Sequence, residues 1–233
     1  MRSAPIRRRP PEGGYARGEE TRRRIVTTAL RLFGQRSFDG VSTREIAAEA
    51  GVNPPALQYY FDSKDGLYRA CAEFVADQVL ERVEPVVGRA ERLLEDAGAP
   101  AAALVEAYCA VVETVLDLIF DPESAAWSPF LALEEAGLGP GTAFPVLKAQ
   151  FLDRLNSVFA GLIGRLSGRP ADALETRVRA LIINGQFMVC QNKRSPGVDA
   201  MGGETNLADY TRLVKSIVVE QTRVLLTRLA PNS

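Results

Sequence analysis

A hydroxyl, two carboxamides, two phenols and an ammonium lie close together at Thr43, Asn53, Gln58, Tyr59, Tyr60 and Lys64, with Pro54, Pro55 and Ala56 among them. Groups of these kinds bind polyanions and flat heterocycles; they do not break bonds. A carboxamide presents a donor beside an acceptor, the pattern that matches adenine N6 and N7, so Gln58 is suited to a base edge. Ala56 or a proline ring edge can touch a thymine methyl, while the Thr43 hydroxyl and the Lys64 point charge suit phosphate oxygens. The chain has no histidine, which excludes imidazole-based metal binding, acid–base catalysis and pH switching. No Gly-rich phosphate loop, zinc spacing or nucleophile elbow occurs. Neighbouring carboxylates such as Glu134 and Glu135 diverge on a helix, so neither an enzyme nor a cofactor is expected.

The elements that must hold these groups are short helices. Ser42 and Glu45 form Ser-x-x-Glu, a capping box that satisfies two orphan backbone N–H groups. Ile46, Ala47 and Ala50 line one face before Gly51 supplies a left-handed stop. Asn53 can cap the next helix, with Pro54 at its first position, where a missing N–H is harmless. Two short helices around such a turn make a helix-turn-helix, whose second member, about Asn53–Tyr60, enters a DNA major groove. For Tyr59 and Tyr60, packing against the neighbouring helix is the alternative to an outward role.

The wider pattern resembles the TetR family of transcriptional regulators over roughly Glu19–Val79. It is carried by Ile25, Ala29, Leu32 and Phe33, then Phe38-x-Gly40-Val41-Ser42-Thr43, Ile46-Ala47-x-x-Ala50-Gly51-Val52, Leu57-x-x-Tyr60-Phe61 and Ser63-Lys64-x-x-Leu67. The resemblance implies base-edge and phosphate contacts from Asn53, Pro54, Pro55, Ala56, Gln58, Tyr59 and Tyr60, with Thr43 and Lys64 on phosphates. Pro55, Gln58 and Tyr60 depart from the residues common in the family, so the operator sequence cannot be carried over from a relative.

Charge divides the same way. Residues 1–69 hold 13 Lys+Arg against 8 Asp+Glu, and residues 70–233 hold 15 against 21, within a total net charge of −1. A basic segment on an acidic body is what phosphate neutralisation by one end requires. Residues 1–18, rich in Arg, Pro and Gly, lack apolar periodicity and are expected to form a disordered basic arm, either reaching DNA or merely solvated. Residues 19–79 should form the DNA-binding domain and residues 80–233 a helical ligand-binding and dimerisation domain. Arg22, Arg23, Arg24 and Arg31 fall off the apolar face of the first helix and face phosphate or solvent. The helix that follows, capped by Ser63, should run toward Glu84 and stop before Pro85; its rotation would transmit a signal from the body.

The fold class is therefore all-α: an N-terminal three-helix helix-turn-helix domain plus a larger helical domain. Hydrophobic content of 46% with 24% charged residues is ordinary for a globular protein. No run of about 18 apolar residues could span a membrane, and the arginine-rich start has no secretory core. Cys71, Cys109 and Cys190 show no metal spacing, so free thiols and a cytoplasmic location are expected. Breaks are expected at Gly98–Pro100, Asp121–Pro122, Gly137–Pro145, Gly168–Pro170 and Arg194–Gly203. Ala101–Phe120 is apolar enough to cross the core, with Tyr108, Cys109, Val112, Val115, Leu116 and Ile119 open to a cavity.

The segment around Ala125–Glu135, Phe144 and Gly185-Gln186 resembles the CerR-type (CecR-like) C-terminal domain, which implies a small-molecule effector bound in each subunit. Tyr108, Trp127, Phe130, Leu131, Phe144, Phe151, Asn184, Phe187 and Cys190 are the candidate lining, with ordinary core packing as the alternative for each. Glu134 and Glu135 are expected on an exposed acidic helix surface; buried, either would suit a cationic ligand. Ala171–Gln191 and Leu207–Leu229 are amphipathic, through Leu174, Val178, Leu181, Ile182 and Gly185 and through Leu213, Ile217, Val218, Val224, Leu225 and Leu229. They are expected to form a homodimeric four-helix interface. The implied function is a ligand-responsive regulator of double-stranded operator DNA, a repressor released by its effector. The alternative is a ligand-independent DNA-binding protein whose body only dimerises.

Overall fold

The computed structural model describes residues 12–191 and 207–230. All regular elements among the described residues are helical. Helices α1 (Glu12–Arg36), α2 (Thr43–Glu49) and α3 (Pro54–Phe61) pack with the first turns of α4 (Lys64–Glu95) as a head. The body continues with α5 (Ala101–Phe120), a 3₁₀ turn (Glu123–Ala126), α6 (Ser128–Glu135), α7 (Phe144–Leu147) and a π turn (Lys148–Leu152). It closes with α8 (Asp153–Ser167), α9 (Leu174–Gln191) and, as α10, Leu207–Thr227. No helix among the described residues is long and apolar enough to cross a membrane.

Local signals account for the head. The Ser42 N–H donates to Glu45 Oε2 at 2.8 Å while the Glu45 N–H donates to Ser42 Oγ at 3.2 Å, the reciprocal capping box. The Ser42 hydroxyl, which donates to Glu45 Oε2 at 2.7 Å, and then the Ser42 N–H hold the Glu45 carboxyl below its ordinary range. Gly51 turns the chain at φ +65°, a value that a Cβ disfavours. Asn53 Oδ1 accepts from the Ala56 N–H at 2.8 Å and Ser63 Oγ from the Gly66 N–H at 2.9 Å, so both helices that follow are capped. Ile25, Ala29, Leu32, Phe33, Ile46, Ala47, Leu57, Phe61 and Leu67 are buried as one core.

Two boundaries differ from the sequence reading. Helix α1 begins at Glu12, just after Pro10-Pro11, so Glu12–Gly18 is helix where an arm was expected; residues 1–11 lie outside the described part. Helix α4 does not stop at Glu84 but passes through Pro85 to Glu95, 32 residues and about 48 Å long. An interior proline costs about 3 kcal/mol in a helix. Tertiary contacts offset this, because Val83, Val87 and Ala90 on either side of it are buried. Arg154 of α8 also spans the break, with Nε 2.8 Å from Glu91 Oε1 and Nη2 3.1 Å from Glu84 Oε1. Those hydrogen bonds hold both carboxyls below the usual range.

Helix α5 crosses the body with Leu104, Tyr108, Val111, Val112 and Leu116 buried. Helix α10 lies on it, held by Arg223 Nε to Glu106 Oε1 at 2.8 Å and by the Lys215–Asp117 pair. Helices α9 and α10 occupy nearly the spans read from periodicity, starting at Leu174 and ending at Thr227. The break expected at Arg194–Gly203 lies outside the described residues.

Candidate nucleic-acid interface and ligand cavity

On the head, α2 and α3 meet the start of α4 around an open groove whose lining includes Ser42, Thr43, Arg44, Pro54, Pro55, Gln58, Ser63 and Lys64 together with the acidic Asp39, Glu45 and Asp62. The Thr43 hydroxyl and the Arg44 and Lys64 cations are the groups there that suit a phosphate. Lys64 Nζ stands 4.2 Å from the Phe38 ring centroid, which restrains the ammonium without neutralising it. Gln58 Nε2 donates to the Asp62 carbonyl at 3.1 Å, an anchor that leaves its second N–H and its Oε1 for a base edge. Tyr59 is 83% exposed. Tyr60 is half-buried and packs against the core, and its ring centroid lies 5.5 Å from that of Tyr59. Asn53 is exposed, but its carbonyl oxygen is spent on the cap, while Ala56 is half-buried.

The sequence reading missed Arg44, an exposed cation in this groove. A lone arginine on a short helix gives no periodic signal. The arginines of α1 serve the head itself. Arg24 Nε donates to the Ala50 carbonyl at 2.9 Å, Arg31 pairs with Glu49, and Arg22 and Arg23 lie over the rings of Phe61 and Phe74.

In the body, a cavity of about 250 Å³ lies between α4, α5, α6, α8 and α9. Its walls are Val79, Val115, Leu118, Ile119, Trp127, Leu131, Phe151, Leu152, Leu155, Phe159 and Leu181, with Ser128, Glu135, Asn156, Asn184 and Gly185. No lysine or arginine is among the described lining residues. Tyr108 sits behind the wall and donates to Asn184 Oδ1 at 2.9 Å, which turns the Asn184 carboxamide and leaves its NH₂ as a donor. Burial holds the Tyr108 phenol far above its ordinary range.

Of the candidate lining, Trp127, Leu131, Phe151 and Asn184 are therefore on the cavity wall, and Tyr108 acts through Asn184. Phe130 is not; it is fully buried on the opposite side of α6, its ring centroid 4.8 Å from that of Tyr68. Phe144 is 38% exposed at the start of α7 and is not on the cavity wall. Phe187 and Cys190 lie outside the described side chains. Leu152, Leu155 and Phe159 recur at helical spacing, and this was the signal that could have found the α8 wall. Cys71 and Cys109 are free and buried, and burial pushes the Cys109 thiol up to about 11.

Helix α6 has two working faces. Trp127, just before it, and Ser128, Leu131 and Glu135 look into the cavity. Pro129, Phe130 and Glu134 look into the head. A Cβ at Gly34 of α1 would stand 3.0 Å from Pro129 Cβ and 3.1 Å from the Phe130 nitrogen, so a side chain there would press on the start of α6. Glu134, expected on the surface, is 3% exposed, and Tyr68 of α4 donates to its Oε1 at 2.6 Å. Burial first, and the Glu134 carboxylate second, hold the Tyr68 phenol far above its ordinary range. Arg82 ties α4 to the turn before α6 through Asp121 and, at 3.1 Å, Glu123.

A helix-turn-helix head docked on an all-helical, cavity-bearing body defines the protein as a DNA-binding regulator. Residues 25–71 match the family model for bacterial regulatory proteins of the tetR family, and residues 104–229 match the C-terminal domain of the HTH-type transcriptional dual regulator CecR. CecR of Shigella flexneri is 33% identical over 162 residues, 70% of each chain. The HTH-type regulator PksA of Bacillus subtilis is 32% identical over 71 residues, 30% of this chain and 35% of that one. The crystal structure of AibR with isovaleryl coenzyme A and operator DNA superposes with a TM-score of 0.61 at 21% identity, covering 86% of this chain and 97% of that one. FadR from Bacillus subtilis with stearoyl-CoA gives 0.57 at 16% identity, covering 84% and 97%. The chain belongs to the TetR family, with a CecR-type C-terminal domain; it is a transcriptional regulator and not an enzyme.

Proposed function

We propose that the protein is a cytoplasmic homodimer that represses transcription from a specific operator and leaves it when a small molecule enters the cavity of the body. The observation that carries this reading is α6, which borders the cavity on one face and the head on the other. A molecule that wedges between Trp127 or Leu131 and the α8 wall displaces α6. Phe130 and Glu134 then act on Tyr68, and through α4 on the recognition helix α3. Ligand and operator are coupled only if the ligand prefers one of two arrangements of this contact.

In this reading Thr43, Arg44 and Lys64 hold phosphates, while Pro54, Pro55, Ala56, Gln58 and Tyr59 face base edges. Two heads read half-sites one helical turn apart, about 34–36 Å, or a multiple of it. The exposed apolar residues of α9 and α10 supply the dimer interface. The effector is compact and mainly apolar, as the wall of the cavity requires. Crystal structures of AibR and FadR, which share the fold, hold acyl-CoA molecules. In this chain, no described cation lines the cavity to receive a phosphate.

Fluorescence anisotropy on the regulator's own upstream DNA, repeated across a library of neutral apolar compounds, tests the proposal. A preference for one duplex over bulk competitor, lost with one compound at fixed salt, is the expected result. Binding that responds to salt alone would reduce the protein to a ligand-independent binder.

A further inference from the structure

The described residues do not seal the cavity. Leu181 is part of its wall and yet 72% exposed. Gly185, one turn further along α9, is also on the wall, and a Cβ placed there would meet no atom within 4 Å. Leu174, Val178 and Ile182 continue the same exposed apolar face of α9. Among the described residues, the mouth of the cavity therefore opens in the middle of an exposed apolar stripe.

We infer that a second copy of this chain closes the cavity, its α9 and α10 lying over the Leu181–Gly185 mouth, so that ligand affinity depends on dimerisation. This rests on the homodimer proposed above and adds that the ligand site is incomplete in one subunit. Among the described residues, the exposed large apolar side chains other than Tyr59, Leu138 and Phe144 all sit on α9 or α10. Each copy thus brings both a mouth and an apolar cover, which is the self-complementarity a two-fold interface needs. Water over an open mouth would wet the Val115, Ile119 and Phe159 walls; a partner helix excludes it. Linkage then makes the effect reciprocal: whatever factor dimerisation adds to ligand affinity at one site, each bound ligand adds to dimer affinity, so two ligands add its square.

The test uses the full chain and the neutral apolar fluorophore N-phenyl-1-naphthylamine, with sedimentation to report oligomeric state. Leu213→Glu/Leu225→Glu places charges on the α10 part of the stripe, away from the cavity wall. The unmutated protein should be a dimer that takes up the probe. The variant should be a monomer of unchanged helicity that binds the probe at least tenfold more weakly, and saturating probe should tighten the unmutated dimer by about the square of that factor, since each dimer holds two probe sites. Dilution of the unmutated protein through its dimer–monomer transition gives the same reading should the variant not fold. Equal probe affinity in monomer and dimer would overturn the inference, as would a monomer at micromolar concentration or a dimer that takes up no probe. Operator binding measured on the same samples separates this from the functional proposal: a dimer that binds no duplex sinks the latter.

Discussion

Deleting one oxygen atom, in Tyr68→Phe, tests the connection between head and body. The phenol donates to Glu134 Oε1 at 2.6 Å, and both residues are buried. The ring keeps its neighbours in the variant, since Phe33, Phe38 and Phe130 meet its faces and edges at 4.9, 5.0 and 4.8 Å between centroids. What is lost is the hydroxyl donor to a buried acidic side chain. Hydrogen bonds to charged groups are worth about 1.5–3 kcal/mol. For a chain of this size each kcal/mol lowers Tm by about 2–4 °C, so Tyr68→Phe should melt about 3–12 °C lower. Glu134→Leu alone leaves the phenol buried without its acceptor. Tyr68→Phe/Glu134→Leu leaves no polar group stranded and should recover most of the loss, with a coupling energy of about 1–3 kcal/mol. Thermal melts followed by circular dichroism give the cycle. Anisotropy on operator DNA then shows whether the effector's hold over binding shrinks when the contact is cut. Single variants that simply add, with coupling below about 0.5 kcal/mol, would refute the bond as a working contact.

The remaining predictions follow from other groups. Lys64→Ala should weaken binding to all duplexes alike and reduce the salt slope by about 1, whereas Gln58→Ala should change the order of preference among operator variants; a selection from random DNA separates the two. Pro85→Ala should raise Tm in a thermal melt, by an amount corresponding to less than the roughly 3 kcal/mol an interior proline costs, because alanine also frees the unfolded chain that proline restricts. Of the six tyrosines, Tyr68 and Tyr108 have folded-state pKa values raised above the unfolded value of about 10. Their contribution to stability is complete below pH ~10 and is lost as pH rises beyond it, so absorbance at 295 nm should show them ionising only as the protein unfolds. Glu45, Glu84 and Glu91 have lowered values, chiefly through hydrogen bonds to Ser42 and Arg154. Their contribution is present above about pH 4.3 and is lost as pH falls below it, which an acid titration of Tm checks.

The head was legible because its signals are local. A capping box, a left-handed glycine and two N-caps are each satisfied within three or four residues, so Ser42, Gly51, Asn53 and Ser63 announce their roles in any context. Helical periodicity likewise placed α5, α9 and α10. Pro85 defeats that reasoning. Its penalty is local, but the contacts that offset it come from α8, in a part of the chain no local pattern reaches. For Phe130 the pattern leaves cavity wall and core packing both open, and it puts Glu134 on the surface, yet both point into the head. On an eight-residue helix flanked by prolines and glycines, the pattern of apolar residues does not say which of two apolar surroundings each one meets.

The order of residues, read without coordinates, determined the all-helical class, the helix-turn-helix and the family, because these depend on short-range backbone satisfaction and on matched positions at fixed spacing. Tertiary structure alone decided which carboxylate is buried, where the cavity lies and that it opens beside Leu181. Those properties belong to the packing of α4, α5, α6, α8 and α9 around a shared space, and burial and hydrogen bonding there depend on neighbours far away along the chain.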